Sequence, residues 1–199
     1  MIPRHLIIGV AVMLAVVLGI AVFLWRMKGR VVGAPASVTD ARPVAPPPTG
    51  PTEAVTLYVA YDDSGTLRAQ SVRIGLSAGR QQRAEEILRS LINLYLDKSS
   101  SHPLAPGSEV RSVYLVEPGL AVIDMNEAFA DGHRSGILVE DLTVASMIQS
   151  LVANIGGVTR VRILIEGKER ETLAGHADLT NFYDTAAVNE MVSRLENAP

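Results

Sequence analysis

The amino-acid sequence predicts an α+β domain, a mixed or antiparallel sheet with helices packed on one face in the order ββαββαβ, preceded by one transmembrane helix. Two pairs of β-rich runs are each joined by a short turn, which makes hairpins and excludes an all-parallel sheet. Two longer segments repeat apolar residues at spacings of three and four, the helical period. A run of 20 uncharged residues, apolar throughout, stands near the N-terminus and apart from both.

That run, Leu6 to Trp25, spans the roughly 30 Å hydrocarbon layer at about 1.5 Å per residue. A helix of a soluble core is rarely apolar on every face. A cleaved signal peptide would use Ala34-Pro35-Ala36, but Arg26, Lys28 and Arg30 separate that site from the run, which also exceeds the roughly 7 to 15 residues of a signal core. Residues 1–30 therefore read as an anchor with basic flanks. Residues 31–53 hold six prolines and no aromatic side chain, the composition of a semi-extended tether. At about 3 Å per residue it would hold a domain up to roughly 60 Å from the bilayer. Residues 54–184 form the folded domain, and 185–199 a C-terminal helix or tail.

The elements follow in order. Val55, Leu57, Val59 and Tyr61 alternate with Thr56, Tyr58 and Ala60 in a first strand, and Asp62-Asp63-Ser64-Gly65 supplies turn chemistry before a second strand, Leu67 to Ile74. From Gln81 to Leu96 a helix carries Ala84, Ile87, Leu88, Leu91, Ile92 and Tyr95 on one face. A Ser, Pro and Gly-rich loop leads to a second hairpin, Val110 to Val116 and Leu120 to Met125, turned by Glu117-Pro118-Gly119. The second helix lies between Ser135 and Ile155, apolar on more than one side, with Ser135 as its expected cap and Gly156-Gly157 as its stop. Val161, Ile163 and Ile165 then alternate in a last strand, and a final helix is expected from Thr185 to Asn197.

The chemistry is sparse. Having no cysteine excludes disulfides, thiolate metal sites, thiol catalysis and lipid on cysteine. A net charge of -3, with Arg4, Arg26, Lys28 and Arg30 gathered around the anchor, does not call for nucleic acid. His102, His133 and His176 fall in three separate loops without ligand spacing and read as surface histidines. Asp124, Glu127 and Asp131 lack the spacing of a calcium loop. Gly132-His133-Arg134-Ser135-Gly136 has the composition of a nucleophile elbow in the wrong order. Glu85-Glu86 and Glu140-Asp141 point in different directions on helices and read as solvated faces. Arg160 and Arg162 share a strand face, where Arg111 could join them as a basic docking surface; the rival is an ordinary solvated sheet face.

Four ordered segments, VTLYVAY, LRSLINLYL, LAPGSEVRSVYLVEPGLAVIDMNEAF and VTRVRILIEGKERETLAGHADLT, resemble the GerMN domain family, named for bacterial sporulation and germination proteins. The likeness runs roughly from Val55 to Tyr183. In the family's pattern a Leu-Pro-x-Gly turn precedes a strand, and a Gly-containing turn leads to a strand ending in Asp, with Phe close behind. Leu104, Gly107, Gly119, Asp124 and Phe129 stand at those places; Ala105 replaces the usual proline, which falls at Pro106. All are read as structural positions.

The resemblance implies an extracytoplasmic domain tethered to a membrane, without catalytic activity or cofactor, and prone to assembly. The flanking charges point the other way, since Arg26, Lys28 and Arg30 outnumber Arg4 and the terminal amine and would place the domain in the cytoplasm. The resemblance outweighs that small difference. The expectation is a single-pass protein of the inner (cytoplasmic) membrane that docks an envelope protein or its own copies, linked to sporulation or germination. The alternatives are an extracytoplasmic module binding a cell-wall fragment, for which the aromatic supply is thin, and a hydrolase with a noncontiguous site.

Overall fold

The computed structural model describes residues 50–196; the expected span from Leu6 to Trp25 and nearly all of the tether lie outside the described residues. Alternation builds the first hairpin, β1 (Thr52–Tyr61) and β2 (Thr66–Gly75), paired antiparallel with Leu57 opposite Gln70. Its turn closes with Gly65 at φ 63, a left-handed conformation that favours glycine. Helix α1 (Arg80–Tyr95) buries the six apolar residues that its periodicity marks. Strands β3 (Val110–Val116) and β4 (Leu120–Met125) pair antiparallel, and β5 (Arg160–Ile165) lies parallel to β4.

A parallel pair needs a long crossover. Here it contains α2 (Glu127–Asp131), capped by the Asn126 side chain, and α3 (Ile137–Asn154). Two-residue β6 (Tyr183–Asp184) completes a sheet of order β3-β4-β5-β6, and α4 (Thr185–Glu196) follows.

The class is α+β as expected, with a mixed sheet, but the observed order is ββαββααββα instead of ββαββαβ. Short α2 and two-residue β6 are the additions, and α4 is the final helix expected after the domain. A second correction concerns the sheet. The hairpins do not share one: β1 and β2 stand as a separate two-stranded sheet. The reason lies in α3, whose small polar residues meet the edge of β1 where a strand would otherwise pair. Tyr58 donates its N–H to Ser150 Oγ at 2.8 Å, and Tyr58 O accepts from Ser146 Oγ at 2.7 Å. Asn154 accepts from Thr56 N through Oδ1 and donates to Thr56 O through Nδ2. Ala60 N donates to the Tyr95 hydroxyl, and Ala60 O accepts from Ser101 Oγ. Thr56, Tyr58 and Ala60 thus have partners for both backbone groups on the side away from β2, as a buried edge requires.

Helix α3 is long and apolar enough to cross a membrane by composition, yet Leu142, Val144, Ala145, Met147, Ile148 and Leu151 are buried in the domain. It is a core helix. The inner face of the larger sheet, Val113, Ala121, Ile123, Met125, Val161 and Ile163, joins the same core, and each of these side chains larger than alanine contributes about 1.5–3 kcal/mol by leaving water. The outer face stays open.

Candidate functional site

Strand register decides which residues share the open face. Tyr114, Val122 and Arg162 lie in one row across β3, β4 and β5, and Val116, Leu120 and Arg160 in the next, with Asp184 of β6 beside Arg160. Tyr114 is 49% exposed, Val116 47% and Phe182 46%. Phe182 lies under both guanidinium groups, 5.4 Å from Arg160 and 4.9 Å from Arg162, within the range of cation–π attraction.

The three arginines expected to make this face basic do not sit as one cluster. Arg162 pairs with Glu169 at 2.7 Å. Arg111, two strands away on β3, donates to Asp124 Oδ2 at 2.7 Å and lies 3.5 Å from Glu166. With carboxylates at Asp124, Glu166, Glu169 and Asp184, the face is amphipathic, carrying aromatic and aliphatic patches between balanced charges.

The residues of the family pattern hold turns. Ala105-Pro106-Gly107-Ser108 closes by Ser108 N donating to Ala105 O, with Gly107 at φ 86, so Pro106 and Gly107 fill the two central positions of a type II turn. Displacing the proline from 105 to 106 suits that turn. Leu104 is buried, and Asn126 Nδ2 donates to Gly107 O, tying the turn to α2. Gly119, at φ 71, accepts from Thr159 N and Arg160 N; a Cβ there would meet Thr159 Oγ1 at 2.6 Å. Buried Asp124 accepts from Gly167 N through Oδ1, fixing the turn that leaves β5.

A second constellation overturns the reading of the histidines as surface residues. His102 is fully buried and His133 nearly so, and both meet Thr143 in the middle of the domain. His102 Nδ1 lies 2.5 Å from Asp62 Oδ1, and its Nε2 lies 2.7 Å from Thr143 Oγ1. His133 Nε2 lies 2.8 Å from the same oxygen, and its Nδ1 lies 2.8 Å from Arg134 O. The second carboxylate oxygen of Asp62 takes the Arg134 guanidinium. Tyr95 stands edge-on to His102 and Phe129 edge-on to His133.

Burial pushes both imidazoles below the usual histidine value; the Asp62 carboxylate opposes it at His102 and the Arg134 carbonyl at His133. Burial works to raise the Asp62 carboxyl, but hydrogen bonds from Arg134 and His102 hold it low. Burial lifts the Tyr95 phenol to about 12. His176 remains exposed and apart from this group.

Glu140 is also buried, against its reading as part of a solvated face. Its Oε1 accepts from Gly136 N, and its Oε2 accepts from the N–H groups of Ala174, His176 and Ala177. Burial would raise this carboxyl, yet the four backbone donors hold it below its ordinary value. Glu140 thereby serves the start of α3 in place of Ser135, since the cap residue is Gly136.

None of this was signalled by loop spacing. The available clue was the polar series Glu140, Thr143, Ser146, Ser150 and Asn154, at helical intervals inside an otherwise apolar helix. Among the described residues, no group of three or more histidine, aspartate or glutamate side chains is placed to hold a metal.

A family model described as Germane, sporulation and spore germination, matches residues 56–171, more than half of the chain. The chain belongs to the Germane family. No curated protein matches the sequence of this Germane chain. Among solved structures, the tandem GerMN domains of the sporulation protein GerM from Bacillus subtilis are similar at 19% identity and TM-score 0.50, covering 65% of this chain and 44% of that one. The first GerMN domain of the same protein gives 19% and 0.50, covering 65% of this chain and 94% of that one. A Clostridium perfringens chain described as a lipoprotein gives 15% identity and TM-score 0.48, with coverage of 70% and 91%. For the two GerM structures, at 19% identity, the likeness concerns the fold. The Germane chain spans less than half of the tandem protein and nearly all of its first domain.

Proposed function

We propose that this Germane chain is a non-catalytic docking module, anchored in the inner (cytoplasmic) membrane through Leu6 to Trp25, that holds an envelope protein or a second copy of itself during sporulation or germination. The observation that carries the reading is the open face of the larger sheet. Tyr114, Val116 and Phe182 present apolar surface beside Arg160 and Arg162, a mixture of aromatic residues and arginine enriched where proteins associate. A Pro-rich tether raises the effective concentration of such a module near other membrane-bound partners. Family membership supports the link to sporulation or germination.

The test is recovery of partners from solubilised membranes with the full-length chain. Exposed Arg160→Glu with Tyr114→Ser should abolish recovery while circular dichroism stays unchanged; undiminished recovery would remove this face from consideration. For topology, a reporter active only in the cytoplasm, fused after Pro199, should be silent.

A further inference from the structure

The two buried histidines compete for one hydroxyl hydrogen at Thr143, a property independent of the docking role. The Asp62 carboxylate and the Arg134 carbonyl can only accept, so Nδ1 of His102 and Nδ1 of His133 each carry a hydrogen. When both rings are neutral, both Nε2 atoms are then bare acceptors. Both face the same oxygen, Thr143 Oγ1, at 2.7 and 2.8 Å. A threonine hydroxyl has a single hydrogen to give. It serves one ring and leaves the other with lone pair against lone pair, and Val139 O, 3.0 Å away, competes for it as well.

One added proton closes the circuit. The unserved Nε2 becomes a donor to Thr143 Oγ1, and Thr143 in turn donates to the other ring. Placing that proton on Asp62 instead, with His102 switching tautomer, reverses the direction of the hydrogen bonds between Asp62 and Thr143 but not the count. A second proton would set two imidazolium rings with centres 6.3 Å apart between Tyr95 and Phe129. Little remains to balance it. Asp62, from the β1–β2 turn, already holds Arg134, and Glu140, the other carboxylate acting on His133, is taken up by four N–H groups. Tyr95, from α1, offers only a neutral phenol.

We propose that Asp62, His102, Thr143 and His133 form a single-proton site, in which two imidazoles take up one proton between them through the shared hydroxyl. The site is also a clasp. Asp62 belongs to the β1–β2 turn, His102 to the loop before β3, His133 to the loop before α3, and Thr143 to α3 itself, so the bound proton completes the bonds that join three loops to the core helix.

The experiment is a nitrogen-detected NMR titration of the full-length chain, labelled with 15N-histidine and kept in detergent, from about pH 8 to the acid limit of the folded state. His102 and His133 should move together, their summed protonation reaching one. Thr143→Ser, which keeps the hydroxyl, should preserve that behaviour. Thr143→Val should uncouple the rings, so that each follows its own midpoint. A sum of zero or two in the folded wild-type chain, or rings still coupled in Thr143→Val, would overturn the proposal. Should Thr143→Val fail to fold, the wild-type count and Thr143→Ser decide the matter.

Discussion

Replacing Ser150 by Ala tests whether helix side chains truly stand in for a strand along β1. Ser150 is fully buried, and its hydroxyl accepts the Tyr58 N–H at 2.8 Å. The substitution removes one oxygen and leaves that N–H facing a methyl group, with β2 occupied on the other side. An orphaned buried donor costs about 1–3 kcal/mol. For a domain near 150 residues each kcal/mol lowers Tm by about 2–4 °C, so the midpoint should fall by about 2–12 °C. Urea denaturation of the variant gives the free energy, and amide hydrogen exchange gives the location. The Tyr58 amide should lose protection selectively, while amides paired between β1 and β2 keep theirs. A loss below about 0.5 kcal/mol together with unchanged Tyr58 protection would refute the reasoning, because that is the size of an ordinary surface change.

Other expectations follow from the same geometry. The Glu140 carboxyl is held below its unfolded value, so its stabilisation is present above that value and lost as pH falls through the folded one. Glu140→Gln should therefore cost about 1–3 kcal/mol at neutral pH and nothing further in that acid window, where urea midpoints of the two proteins should converge. Gly119→Ala places a Cβ at φ 71 against Thr159 and should cost about 1–3 kcal/mol, measured by thermal denaturation. Asp124→Asn keeps the shape but removes the charge facing Arg111 and should loosen the Glu166-Gly167 turn, seen as faster exchange at the Gly167 amide. Residues 50–196 expressed alone should give the circular dichroism of a folded α+β domain; a disordered spectrum would refute the domain boundary.

Elements with their own periodicity were legible in the sequence. The β3 and β4 bounds, the apolar face of α1 and the Gly-Gly stop of α3 are local matters, set by alternation, helical spacing and turn residues. The separation of the two sheets was not, because it depends on Ser146, Ser150 and Asn154 meeting a strand roughly 90 residues earlier. Polar residues inside an apolar helix hint that something buried needs them; they do not name it. The histidines failed for the same reason. His102 and His133 are 41 and 10 residues from the threonine they share, and nothing local distinguishes them from solvent-facing loop residues. The open sheet face was half legible: alternation put Arg160 and Arg162 on one side of β5, but Phe182 and Glu169 reach it from the following loop, which carries no periodicity to read.

Glu140 has a consequence for how such domains can diverge. It grips the loop through main-chain N–H groups at Ala174, His176 and Ala177, which every residue but proline possesses. Side-chain identity at Ala174 and His176 is therefore nearly free to drift, whereas one glutamate takes up three of the loop's N–H groups beside the buried Leu173, Ala177 and Leu179. Two proteins could keep this loop in the same place with different residues at 174 and 176, and an aligned acidic residue one turn into the long helix would be the written trace of the bond.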